Sequence, residues 1–383
     1  MGEAQRLSPD EQLRLAREQY AEARDFTVAV EEEFAILDPN TLEMVGRFEE
    51  FFEAAQGTEL EGHLVGELIS SEVEVRTGRC ETFAEAAATM AERRRALVEL
   101  AGRLGASLGS TGTHPWSPWQ EQSIIDTPHY RRVEEGLRYV AWRNNTFGIH
   151  VHVGVRDADR AIAICDALRS YLPELLALSA SSPFSEGRYT HLHSTRTQIF
   201  TRMFPRCGVP DAYGSWEEYE RYVRLLYETD SIVEHTQIWW SVRPHLAFPT
   251  VELRVCDGQP ELGAAQELAA FVYSLIARVA RALDEGETLP LHPHRLIEEN
   301  LWRAIRYGLG GEMIDLDTGR VRPTRERLAE LAEWVQPVAE ELGAAPFLAV
   351  PGENAAQRQI ARYERGATLG EIYADEIVEA VPV

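Results

Sequence analysis

Residues 27–37 read Thr-Val-Ala-Val-Glu-Glu-Glu-Phe-Ala-Ile-Leu. β-Branched and aromatic residues flank three consecutive acids, which predicts a strand with carboxylates at its centre. Side chains alternate between the faces of a strand. Val28, Val30, Glu32, Phe34 and Ile36 therefore share one face, and Ala29, Glu31, Glu33 and Ala35 the other. Two carboxylates two residues apart on one face repel each other unless water, a cation or an arginine lies between them. A solvated strand face would account for one such stretch alone.

The pattern returns three times. In residues 72–76, Glu-Val-Glu-Val-Arg, Glu72, Glu74 and Arg76 oppose Val73 and Val75. In residues 149–155, Ile-His-Val-His-Val-Gly-Val, His150 and His152 alternate with β-branched residues. In residues 250–256, Thr-Val-Glu-Leu-Arg-Val-Cys, Glu252 and Arg254 alternate with Val251, Leu253 and Val255. Four such strands in one sheet would pack one face on helices and leave the other as a polar floor. That floor would carry Glu31, Glu33, Glu74, His150, Glu252 and Arg254. Carboxylates with imidazole suit Mg²⁺ or Mn²⁺, and arginine suits phosphate.

The 383 residues are 44% hydrophobic and 26% charged, a globular composition long enough for one large core. A formal charge of −24 opposes nucleic acid and anionic membranes as partners. No apolar run is expected to span a membrane, and the first residues lack a secretory h-region. Cys80, Cys165, Cys207 and Cys256 are far apart with no CxxC pair, which predicts reduced thiols and a cytoplasmic protein. All 38 basic residues are arginine. Without lysine the chain has neither a Walker-type phosphate loop nor Schiff-base chemistry.

Along the chain, residues 7–25 predict a polar helix capped near Ser8. Thr82 and Glu85 open a helix to about residue 106, with Arg93–Arg95 as a solvated face. His114 either lines the site or is a packed, hydrogen-bonded histidine. Asp157 caps a helix of roughly twenty residues whose apolar stripe is core. Residues 181–208 form a long polar and aromatic loop suited to substrate. Arg188 and Arg196 there, and Arg243 before the fourth strand, are candidate anion clamps. His191 and His193 have strand-neighbour spacing and either bind metal or are simply exposed. Arg303 lies on a helix face with Glu299 and Arg306. A hairpin is expected around residues 317–319. Together these predict an α+β fold.

Val-Glu-Glu-Glu-Phe, Gly-Ile-His-Val-His-Val-Gly, Arg-Thr-Gln-Ile-Phe, Val-Arg-Pro-His and Thr-Val-Glu-Leu-Arg-Val-Cys-Asp occur here in order. In order and spacing the chain resembles the carboxylate–amine ligase family of the glutamate–cysteine ligase type 2 group, from about residue 27 to about residue 370. The resemblance implies a glutamine-synthetase-like curved antiparallel sheet forming an active-site funnel. It implies residues 27–383 as one catalytic domain behind an N-terminal helical extension, residues 1–26. It further implies ATP-dependent joining of a carboxylate, typically that of glutamate's side chain, to an amine such as cysteine's, through an acyl phosphate. Carried over by position, metal ligands fall on Glu31, Glu33, Glu67, Glu74, His150 and Glu252, and the phosphate-binding arginine on Arg254. Arg196, Arg243, Arg188, His152 and Arg303 are expected to bind substrate or nucleotide. Many relatives have Asp-Thr-Gly-Leu-Ala-Ser-Tyr-Arg at residues 189–196, and an acid at Ser241. Both departures fall in segments expected to bind substrate. The same residues would also suit a two-metal hydrolase, or a non-catalytic binding protein retaining the fold. Monomer and homodimer both remain open.

Overall fold

The computed structural model describes residues 7–379. Residues 1–6 of the expected N-terminal extension and 380–383 of the expected catalytic domain lie outside the described residues. Seven strands form the principal sheet: β1 (Val28–Leu37), β2 (Leu64–Val65), β3 (Glu72–Arg76), β4 (Ser107–Gly109), β5 (Ile149–Gly154), β6 (Val242–Pro244) and β7 (Thr250–Leu253). Their order is β6-β7-β5-β1-β3-β2, with β4 continuing on β1 beyond β5. Every pairing is antiparallel.

Register explains why the four motifs converge. Glu31 lies opposite both His150 and Arg76, Glu33 opposite Glu74, and Glu252 opposite His152 and Arg243. A slip of one residue in any strand would send its polar set into the core. The apolar faces hold that register. Val28, Val30, Val151, Val153, Val251 and Leu253 share one core with helix Leu262–Asp284. Phe34, Ile36, Val73 and Val75 join a second with Phe51, Leu97 and Leu100. Each buried aliphatic of this kind stabilises the fold by about 1.5–3 kcal/mol relative to exposure.

Helix α1 (Pro9–Glu22) is capped by Ser8, whose side chain accepts from Glu11 N. Leu13, Ala16 and Tyr20 belong to the main core, so the helix is anchored on the domain. Helix α2 (Phe83–Arg103) is capped by Thr82. The described residues also contain the expected hairpin, Glu312–Ile314 with Val321–Pro323.

Several expectations are corrected. Arg94, placed on a solvated face, is 1% exposed. It donates to Glu32 Oε1 and to the carbonyls of Gln259 and Pro260, which accounts for its burial. The helix from Asp157 ends at Leu168, and a second runs Leu172–Ser179 after a 3-10 turn, with Pro173 in its first turn. Residues 181–208 are not one loop but contain helix Thr195–Met203, capped by Ser194. β7 ends at Leu253, short of the expected residue 256, although Arg254 N still donates to Ser241 O at 2.8 Å in the register of the β6–β7 pair. Helix Leu262–Asp284 has the length and composition to cross a membrane, contrary to expectation, but 67% of its apolar window is buried and it serves as the core helix.

Candidate active site

A cleft of about 390 Å³ opens on the polar face of the sheet. Glu31, Glu33, Glu67, Glu74, His150, His152, Arg196, Arg243, Glu252 and Arg254 all line it. Three sets of donors converge there: Glu31, Glu74 and His150; Glu31, His152 and Glu252; and Glu33, Glu67 and Glu74. Within each set the ligand atoms lie within 4.8 Å of one another. Ligands around one Mg²⁺ at about 2.1 Å would lie roughly 3–4.2 Å apart, so small side-chain adjustments suffice.

The imidazoles carry unspent valence. His150 Nε2 and His152 Nε2 are buried without a hydrogen-bond partner. His152 Nε2 stands 3.5 Å from Glu31 and 3.8 Å from Glu252, and His150 Nε2 3.6 Å from Glu33. These gaps are longer than hydrogen bonds and suit an ion lodged between the groups. His152, expected to bind substrate or nucleotide, is therefore placed among the metal-type donors.

Electrostatics divide the cleft. Burial opposes ionisation of Glu31, but His152 and His150 outweigh it and hold its carboxyl well below the usual range. Arg243 and Arg254 likewise overcome burial at Glu252. At the other end burial dominates. It raises Glu67 to about 7, helped by Glu33, and pushes Glu74 and Glu72 well up, helped by neighbouring carboxylates. A divalent cation would relieve that crowding, so the residues present fit the metal that the resemblance implies.

The arginines differ in their engagement. Arg243 holds Glu252 through two contacts, Nε to Oε2 at 2.6 Å and Nη2 to Oε1 at 3.1 Å. Arg254 pairs with the same carboxylate, and its own Nε is unpartnered. Arg196 is 4% exposed; its side chain donates to the carbonyl oxygens of residues 254 and 255 at 3.4 Å and lies over the Phe200 ring, 5.8 Å from its centroid. Asp257 stands 4.0 Å behind it, and its Nε is unpartnered. A Cβ at Gly148 would collide with that guanidinium. A buried, under-bonded arginine on a cleft wall is suited to an incoming anion.

Other expected residues lie elsewhere. Arg188 is exposed at a hairpin and Arg303 pairs with Glu299 at 3.4 Å; neither lines the cleft. His191 and His193 belong to no metal-type group among the described residues. Tyr189 packs on His191 and Tyr363, and His193 N donates to Ile305 O, so residues 189–195 brace helix His294–Tyr307 rather than line the cleft. Ser241 is buried and also outside it. His114 is the packed alternative, with Nε2 2.7 Å from Leu42 O between Trp116 and Tyr373. Alternation in residues 72–76 marked Arg76, which pairs with Glu74 and Glu31 and was left out of the expected set. His129, Glu234, His235, His245 and Phe248 come from loops and a helix end, where no periodicity announces them.

Comparison with known proteins identifies the family of the chain. A family model described as Glutamate-cysteine ligase family 2 matches residues 27–375. A protein of Sorangium cellulosum named "Putative glutamate--cysteine ligase 2" is 39% identical over 360 residues, 92% of this chain and 96% of the relative. One of Rubrobacter xylanophilus, "Putative glutamate--cysteine ligase 2-3", is 42% identical over 318 residues, 83% of this chain and 85% of the relative. Among solved structures, a glutamate–cysteine ligase of Francisella tularensis in complex with AMP superposes with a TM-score of 0.66 at 13% identity, covering 92% of this chain and 88% of that one. A bifunctional glutathione synthetase of Pasteurella multocida gives 0.64 at 13% identity, covering 96% of this chain and 53% of that one. At such identity the likeness is one of fold.

Proposed function

The chain belongs to glutamate–cysteine ligase family 2, and from that premise we propose that it is a soluble, cytoplasmic ATP-dependent ligase joining a small carboxylate to an amine. The observation that carries this reading is the meeting of three acid–imidazole groups and the arginines Arg196 and Arg254 in one cleft.

A carboxylate is a poor electrophile and must be activated. One of its oxygens bonds to the γ-phosphorus of ATP as the bond to the β–γ bridging oxygen breaks and ADP departs. The amine nitrogen then bonds to the carbonyl carbon, phosphate leaves, and the nitrogen loses a proton. Glu31, Glu33, Glu67, Glu74, His150, His152 and Glu252 would hold Mg²⁺ or Mn²⁺, which when bound neutralises charge on the polyphosphate. Arg254, with its unpartnered Nε, stabilises the transferring phosphoryl group. Arg243 keeps Glu252 ionised and aimed. Arg196 holds a carboxylate of the acid substrate. The glutamate–cysteine pair is the first to test, given the relatives' names.

The test is ADP release from ATP with Mg²⁺ or Mn²⁺, screened over acids with and without an amine and starting with glutamate and cysteine. ADP formation that requires both, with a matching amide, is the expected result. No nucleotide turnover with any pair, in protein that binds the metal, would overturn the ligase reading.

A further inference from the structure

A second cleft of about 610 Å³ adjoins the first. Glu31, Arg76, His152, Ala247 and Phe248 line both. The two chambers therefore meet at the group formed by Glu31, His152 and Glu252. Their chemistry differs. The first is crowded with carboxylates, imidazoles and arginines, whereas Ala23, Ala29, Ala247, Phe248 and Pro249 give the second a largely apolar lining, with Glu22, Arg24 and Arg79 at its edge.

Part of its wall comes from outside the family match. Gln19 and Glu22 of α1, with Ala23 and Arg24 just after it, line this chamber, although the match begins at residue 27. The helix is fixed there by Tyr20, which is 0% exposed. Its hydroxyl donates to Thr250 O at 2.7 Å and to His245 O at 3.2 Å, the two ends of the loop between β6 and β7. That loop carries Phe248, which is 57% exposed and stacked on His245 with ring centroids 5.0 Å apart and planes 18° apart. One buried tyrosine thus fixes both the helical wall and the aromatic at the junction of the chambers.

We propose that α1 is a working wall of the active cleft: with Phe248 it encloses the compartment that takes the nucleoside of ATP. This rests on the ATP-dependent reading above. A triphosphate held at the shared acid–imidazole group has its nucleoside within reach of the adjoining chamber. A flat heterocycle suits an apolar chamber with an exposed ring at its entrance, and Gln19, Glu22 and Thr27 offer polar groups to ribose and base edges.

The test compares binding of Mg·ADP and of inorganic tripolyphosphate with Mg²⁺ to the full chain by calorimetry. Variants are A23W, which fills the chamber from the helix; F248A, at an exposed site; Y20F, which keeps the ring and loses the anchor; and A21W. Ala21 faces a separate surface groove. A23W and F248A should each weaken Mg·ADP roughly ten-fold, in line with the loss of aromatic–base contact, and Y20F more modestly. A21W should not change it, and tripolyphosphate should bind all five proteins alike. Wild-type affinity for Mg·ADP in both A23W and F248A would overturn this inference and leave the ligase reading standing. Equal loss of tripolyphosphate would also overturn it, since the damage would then lie at the ion-binding groups. Wild-type protein that binds no Mg·ADP would remove the ATP-dependent reading and this inference with it. Should A23W fail to fold, F248A decides.

Discussion

Arg94 and Glu32 meet beneath the sheet, Nη2 to Oε1 at 2.6 Å, with both residues buried. Glu32 thereby occupies the face of β1 opposite Glu31 and Glu33, and three consecutive acids are divided between a structural ion pair and the cleft. Removing one partner of a buried pair strands the other charge. Arg94→Ala is therefore expected to lower unfolding free energy by about 3–5 kcal/mol. Urea unfolding measures the loss. Turnover per folded molecule should be unchanged, because the pair faces away from the cleft.

Arg254→Ala should have the opposite balance. Glu252 would keep Arg243 as its partner, so the cost to folding is limited, whereas the cation proposed to stabilise the phosphoryl group would be gone. A fall in kcat of about 10²–10³-fold is expected, with a melting temperature near that of the parent. Parallel collapse of stability and turnover would make Arg254 a structural arginine.

Glu31→Gln and Glu74→Gln should weaken Mn²⁺ binding more than Glu67→Gln. The first two residues each belong to two of the three donor groups, and Glu67 to one. Spin-resonance titration of free Mn²⁺ reads this ranking, and equal effects of all three would contradict it.

The carboxyl of Glu67 is raised to about 7 by burial and by Glu33. In the unfolded chain it titrates near the ordinary value of about 4.3. Between these values the folded state holds a proton that the unfolded state has lost. The contribution is full below the unfolded pKa and is lost as pH rises through about 7. Metal-free protein should thus lose stability across this window, by up to about 1.4 kcal/mol per pH unit from this group. Saturating Mg²⁺ should flatten or reverse the trend. Chemical unfolding at pH 5 and pH 7.5, with and without the ion, checks both signs.

Alternation made the polar floor legible. Glu31, Glu33, Glu74, His150, Glu252 and Arg254 each stand two residues from another polar group in a run of β-branched neighbours, and register carried them to one face. What escaped depends on contacts distant in sequence. Arg94 reads as part of a solvated run because Glu32, its partner, is 62 positions away. Helix Thr195–Met203 was hidden because Thr195, Thr197, Ile199 and Thr201 alternate as a strand would, and its Ser194 cap could not outweigh that signal. Arg188 and Arg303 carry the right chemistry, but nothing local reveals which way an isolated side chain points.

Glu31 and Glu74 are bridging residues, and each has only two oxygens to divide between neighbouring groups. Ions held there as proposed would have linked occupancies: filling one group would draw charge and orientation from a carboxylate that the next must use. By reciprocity, whatever one ion does to the affinity of its neighbour, the neighbour does equally in return. Binding isotherms for this protein should therefore be fitted as one coupled cluster, with an interaction constant that changes when either bridging glutamate is replaced.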